Sequence, residues 1–221
     1  MHLYLASTSP ARLATLRAAG IEPTVVPSKV DEDAVVAEAE RTNGSLSPAD
    51  MVLLLARAKA EAVIDEVSTR SSGDRSSGDA LILGGDSAFV IDDEIFGKPH
   101  THERATARWH AHRGRTGTLY SGHWLIRVAN GVPVASAGSV ASAEVTFSAD
   151  VTDAEIDAYV ASGEPLQVAG AFTIDSLGAA FIERIEGDPS TVIGVSIPTV
   201  RKLAAELGVF WPDLWTPQPR V

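Results

Sequence analysis

The run Leu3-Tyr4-Leu5-Ala6-Ser7-Thr8-Ser9-Pro10-Ala11-Arg12 reads as a strand, a small polar turn and the opening of a helix. Residues 3–6 are apolar, Ser9 is a good N-cap, and Pro10 suits the first helical position, where a missing N–H removes no hydrogen bond. The helix is expected to reach about residue 19 and stop at Gly20. The same alternation continues outward. Residues 24–26 read as a short strand leading into an acidic loop, Val30-Asp31-Glu32-Asp33. Ser47-Pro48-Ala49-Asp50 is a capping box that opens a helix to about residue 66. Residues 68–79, rich in Ser, Gly, Asp and Arg, have the composition of a flexible loop insertion.

Leu81-Ile82-Leu83 reads as a buried strand that ends at Gly84-Gly85-Asp86, followed by a hairpin around Asp92-Asp93. A helix over 102–112, two long β runs over 118–128 and 134–147 turning at Gly131, and a Thr152/Glu155 capped helix closing at Gly163 come next. A strand near 180–185 and a helix over 199–207, capped by Gly208, complete the chain. Interleaved strands and helices predict an α/β class with a mixed, twisted sheet, because the middle hairpin is antiparallel. One domain is expected over residues 1–221, long enough to bury a substantial core.

The formal net charge is −11, which argues against a broad grip on a nucleic acid polymer, since such binding works through many Lys and Arg contacts. A small anionic substrate is not excluded, because a few cations and a bound metal reverse the field of one pocket. There is no cysteine, hence no thiolate chemistry and no disulfide. No apolar run approaches the ~18 residues of a membrane span. The chain opens on a strand-like run without a signal-peptide pattern, so a cytoplasmic protein with no membrane partner is expected.

Four places carry chemistry. The loop holding Ser7 and Ser9 delivers unpaired backbone N–H groups at a helix N-terminus, a ready anion site. Arg12 falls at the edge of the buried face beside it, and a guanidinium suits phosphate. The alternative is an ordinary capped helix with a surface arginine. Lys59 lies at the centre of the apolar stripe Val52, Leu55, Ala56, Val63, so it snorkels, pairs or faces a cleft. Asp86, after two glycines at a strand end, either holds a divalent ion or a water, or caps a turn. Lys98 in Gly97-Lys98-Pro99 is a charge pinned on a tight turn. His100, His102, His110 and His112 have no metal-helix spacing and read as solvated surface, and the four tryptophans read as packing residues. Phosphate-loop, dinucleotide and nucleophile-elbow motifs are all missing.

The order of these pieces resembles the Maf family. Leu5-Ala6-Ser7-Thr8-Ser9-Pro10-Ala11-Arg12, Val30-Asp31-Glu32, Ala56-Arg57-Ala58-Lys59-Ala60 and Gly85-Asp86-Ser87 are similar to its successive motifs. So are Gly97-Lys98-Pro99, Tyr120-Ser121-Gly122, Glu164-Pro165-Leu166 with Ala169-Gly170-Ala171-Phe172, and Val192-Ile193-Gly194. The resemblance implies an elongated, two-lobed α/β unit around a deep cleft. It implies a nucleoside triphosphate pyrophosphatase that cleaves the α–β phosphoanhydride, gives a nucleoside monophosphate and pyrophosphate, and uses Mg²⁺ or Mn²⁺. By position, Asp86 matches the catalytic aspartate, and Arg12, Lys59 and Lys98 the phosphate-handling cations, beside Ser7 and Ser9. Glu32 is the acidic residue at the cleft, and Asp86 with Glu32 is the implied metal pair. A homodimer is expected from the family. The competing reading is a nucleotide-binding regulator of septum formation with little catalysis.

Specificity residues depart from the family's branches. The branch for dTTP and UTP has arginine where this chain has Ala11, threonine at Ser87, glutamine at Asp175 and lysine at Val168. The branch for 7-methyl-GTP has tryptophan at the Ala11 position. Ala11 leaves a roomier base pocket than either, so turnover across a panel of triphosphates should show a relaxed or different base preference. Strict preference for dTTP and UTP would contradict this.

Overall fold

The computed structural model describes residues 1–73 and 79–216. In chain order the elements are β1 (His2–Leu5), α1 (Pro10–Ala18), β2 (Thr24–Val25), α2 (Glu32–Asn43), α3 (Pro48–Glu61) and α4 (Ile64–Gly73). Then follow β3 (Asp79–Ile91), β4 (Glu94–Phe96), α5 (His102–His112), β5 (Thr116–Ala129) and β6 (Val132–Phe147). The last part holds α6 (Asp153–Ala161), β7 (Ile182–Gly187), α7 (Pro189–Ile193) and α8 (Ile197–Glu206), with short 3-10 turns between. The strands form a seven-stranded sheet in the order β2-β1-β3-β5-β6-β7, with β4 beside β3. β1 runs parallel to β2 and β3, and the other pairs are antiparallel. The expected mixed α/β class holds. Among the described residues no helix is long and apolar enough to cross a membrane.

Side-chain alternation sorts the core onto the two faces of the sheet. Leu3, Leu5, Leu81, Leu83 and Leu125 point one way and pack with Leu16, Val200 and Leu203 of α1 and α8. Tyr4, Ala80, Ile82, Ile126 and Val128 point the other way, against Ala60, Val63 and Val67. Further along the same strands a third cluster gathers Phe89, Ile91, Leu119, Val145 and Phe147 around Trp109 of α5. Residues 84–87 of β3 lie between these apolar regions.

Four expectations are corrected. β3 does not end at Gly84-Gly85-Asp86; it runs through them, because β5 pairs with every residue from 79 to 90. The acidic loop begins a helix instead. Asp31 caps α2 by accepting Ala34 N–H at 3.0 Å, and Glu32 and Asp33 favour its positive end. No residue of α2 is buried, so no apolar stripe announced it. The long helix from Pro48 breaks after Glu61, and residues 68–73 of the expected loop continue α4, while 79 begins β3. Residues 74–78 of that loop lie outside the described residues.

His112 is the fourth correction. It is 0% exposed, ringed by Phe96, Phe147 and Phe89 at 4.8, 5.2 and 5.5 Å. Neither ring nitrogen completes a hydrogen bond among the described residues, although the Gly170 backbone favours the charged form. Burial, then the charges of Arg108 and Arg115, pushes the imidazole down to about 4. An unfolded histidine titrates near 6.5. Between these values the unfolded chain takes up a proton that the folded chain refuses, so this residue costs stability as pH falls from about 6.5 to 4. Urea midpoints of His112→Leu should therefore fall less steeply than the parent's across that window. Equal slopes would contradict the buried, neutral assignment.

Candidate active site

Alternation along β3 gives the site two sides. Gly84 and Asp86 share one face with Gly122 of β5; Gly85 and Ser87 share the other with Ser121 and His123. On the first face α3 lies directly on the strands. A Cβ at Gly84 would sit 2.0 Å from the Ala56 carbonyl oxygen, and one at Gly122 would sit 2.2 Å from that of Val52. Only glycine admits this approach. It seats Lys59, 7% exposed, over Asp86, with Nζ donating to Oδ1 at 2.7 Å. The same ammonium meets Glu32 Oε1, from the first turn of α2, at 2.8 Å. Lys59 thus pairs rather than snorkels. Burial pushes the Asp86 carboxyl above its usual range, against the pull of Lys59 and Arg12.

The opposite face belongs to Arg12. Ser9 caps α1 by accepting the Arg12 backbone N–H at 3.4 Å, and Ser7 Oγ accepts Ser9 N–H at 3.2 Å. The guanidinium then passes under the sheet, 9% exposed, and is held at three points. Nε donates to Gly194 O at 2.8 Å, one Nη to Ser7 Oγ at 3.2 Å and the other to Ser87 Oγ at 3.0 Å. A Cβ at Gly85 would lie 3.2 Å from Arg12 Nε, so glycine makes room here also. The polar chain continues from Ser87 Oγ to Ser121 Oγ at 2.9 Å and on to the Thr191 carbonyl at 2.9 Å. Burial lowers the guanidinium's proton affinity, and the charges of Asp86 and Glu32 work against that.

Of the residues marked in the sequence, these bonds gather Ser7, Ser9, Arg12 and Ser87 on one face of β3 and Glu32, Lys59 and Asp86 on the other. Lys98 is not joined to them. It lies exposed on the turn after β4, with no ion pair to a described residue. Ala11 is half-buried in the first turn of α1, its carbonyl accepting Thr15 Oγ1 at 2.9 Å. Asp175 is exposed, on a turn gripped by Glu164. That carboxylate accepts from Tyr159, Thr173, Ser176, Leu177 N–H and Gly178 N–H. Burial opposes its charge, yet these donors hold it down at about 2.

Ser121, Thr191, Gly194, Asp188 and Glu164 went unassigned in the sequence. Ser121, Gly194 and Glu164 fall within recognised motifs, but a carbonyl acceptor such as Gly194 has no side-chain signature. For a metal, Asp86 and Glu32 bring two hard oxygens to one point, now shared by Lys59. Among the described residues no cluster of three or more His, Asp or Glu forms a cage. Two carboxylate oxygens are the donor type that Mg²⁺ and Mn²⁺ accept, with water and phosphate completing such shells.

A family model described as Maf-like protein matches residues 2–207. A protein of Leifsonia xyli subsp. xyli is 63% identical over 215 residues, covering 97% of each chain. Proteins of Rhodococcus jostii and Streptomyces avermitilis are 49% and 48% identical, over 98% and 99% of this chain and 97% and 96% of their own. All three are named nucleoside triphosphate pyrophosphatase.

Replacing Lys59 by Met should destabilise the fold by about 3–5 kcal/mol at neutral pH, because Asp86 is left buried and unpaired. Asp86 already has a raised proton affinity and gains more without the ammonium, so the deficit should shrink as acid discharges it. Chemical denaturation of both chains at neutral and acid pH checks this; a deficit constant with pH would refute it.

Proposed function

The chain belongs to the Maf family, and on that footing we propose that it is a nucleoside triphosphate pyrophosphatase cleaving the α–β phosphoanhydride. The observation that carries the reading is the placement of a buried Arg12 on one face of residues 85–87 of β3 and of a buried Lys59 and Asp86 on the other. Relatives of nearly full length bear that activity in their names.

A triphosphate brings several negative charges to a protein of net charge −11, so the local field must be reversed. Arg12 and Lys59 do this from fixed positions, with Lys98 added from its turn. Ser7, Ser9 and the N–H groups that open α1 receive phosphate oxygens. Fixed cations stabilise the charge that develops on the phosphorus oxygens and on the leaving pyrophosphate. Asp86, with its raised proton affinity, accepts the proton as the oxygen of water bonds to phosphorus and the bridging P–O bond breaks. Asp86 and Glu32 would hold Mg²⁺ or Mn²⁺, which supplies Lewis-acid neutralisation of the phosphate oxygens when bound. Ala11, Ser87 and Asp175 are assigned to base selection on the resemblance alone. The two-lobed cleft and the homodimer are part of the same proposal, on the same ground, and a cytoplasmic location joins it because a chain without cysteine suits a reducing compartment.

A panel of standard and modified triphosphates with Mg²⁺ or Mn²⁺ tests it, resolving monophosphate plus pyrophosphate from diphosphate plus phosphate. Monophosphate and pyrophosphate are expected, and Asp86→Asn should lower kcat by about 10²–10⁴-fold with the melting transition retained. Near-parental turnover by that variant would remove Asp86 from the mechanism. Diphosphate as product would make the protein a terminal phosphatase, and tight binding without turnover would favour a regulator.

A further inference from the structure

His123 is fully buried on β5, and nothing in the reaction proposed above uses it. It stands opposite Gly85 in the β3–β5 ladder, on the face that carries Arg12. Its Nε2 accepts the Ser196 backbone N–H at 2.8 Å in the interior. The neutral ring therefore carries its own proton on Nδ1. Burial, then the positive charge of Arg12, pushes the imidazole down to about 4, so it remains an uncharged acceptor at ordinary pH. An acceptor without positive charge is what a site beside a buried guanidinium tolerates.

Ser196 closes the turn that leads from α7 into α8. Its Oγ donates to Asp188 Oδ2 at 2.8 Å, and Asp188 Oδ1 accepts Ser190 N–H at 3.0 Å. Within this turn stands Gly194, at φ 117°, whose carbonyl receives Arg12 Nε at 2.8 Å. At that φ the carbonyl direction is imposed by the turn. Asp188 anchors the turn from within, and His123 anchors it to the sheet.

We propose that His123 is a positioning residue for Arg12: by holding the Ser196 N–H it fixes the turn whose Gly194 carbonyl aims the guanidinium at the substrate's phosphates. This deepens the reading of Arg12 as a phosphate-binding group and rests on it. The imidazole touches no substrate, so its contribution passes entirely through Gly194 and Arg12.

A double-mutant cycle in the full chain tests the link, reading kcat/KM with the triphosphate the parent hydrolyses fastest, together with melting temperature. His123→Leu leaves the Ser196 N–H unpaired and should cost about tenfold or more in kcat/KM. His123→Gln, which keeps a neutral acceptor, should recover most of that loss. In an Arg12→Ala background the His123→Leu change should cost less than about twofold, since the group it positions is gone. Equal losses in both backgrounds would reduce His123 to a structural residue and overturn the proposal, with the role of Arg12 untouched. Parental kcat/KM in Arg12→Ala alone would overturn the reading beneath it. Where His123→Leu does not fold, His123→Asn, polar but too short to reach Ser196, takes its place in the cycle with the same expected coupling and the same overturning result.

Discussion

The approach of α3 to the sheet is the constraint on which the site depends. Two glycines, one on each of two paired strands, let the helix backbone come down onto β3 and β5 where any side chain would collide with a carbonyl. The close approach buries Ala56 and Ala60 against the strands and carries Lys59, one turn along the same stripe, over Asp86. Without it an ammonium could not be desolvated beside a carboxylate at 2.7 Å. Burying such a pair is expensive and contributes little net stability, while removing one partner is costly. The pair is therefore weak evidence of fold stabilisation.

The buried polar side chains make the same point. Among the described residues they are Ser7, Arg12, Lys59, Asp86, Ser121, His123, Thr191 and Ser196, with His112 as the exception outside the site. The interior elsewhere is apolar, and polar groups enter it where β3 passes between the aliphatic clusters near its start and the aromatic cluster near its end. A buried polar group must be partnered to be tolerated. Serine hydroxyls, the Gly194 carbonyl and Asp188 supply most of those partners, while His123 Nδ1 completes no hydrogen bond among the described residues, and the bonds that make the burial tolerable also stiffen the site.

How much of this was legible in the sequence follows from what each feature depends on. Local capping chemistry was readable: the Ser9-Pro10 start of α1, the Thr152/Glu155 box of α6 and the limits of α5 all lie where their residues place them. Asp86, Lys59 and Arg12 stood out because charge in an apolar context is anomalous. Gly84-Gly85 was misread as a strand end because glycine marks breaks and close approaches alike, and only the packing of α3 on Gly84 and of Arg12 on Gly85 tells which. α2 was missed because a helix with no buried face has no apolar period. His112 was misjudged because three rings distant in sequence enclose it.

The two buried cations are each held by several bonds of the protein's own. Arg12 has five N–H donors, and three are spent on Gly194, Ser7 and Ser87, which fix the plane of the guanidinium. Lys59 has three, of which Asp86 and Glu32 take two. Each cation is thus immobilised by the protein while retaining donors that no described residue engages. A lysine in place of Arg12 would keep the charge but lose the planar fork that reaches both the Gly194 turn and Ser87 on the strand. Side chains ordered in this way would lose little further rotamer freedom on meeting an anion. Glu32, half-exposed on a helix with no buried residue, is the member of the group with the least packing to hold it. It is therefore the member least fixed by the sheet and α3.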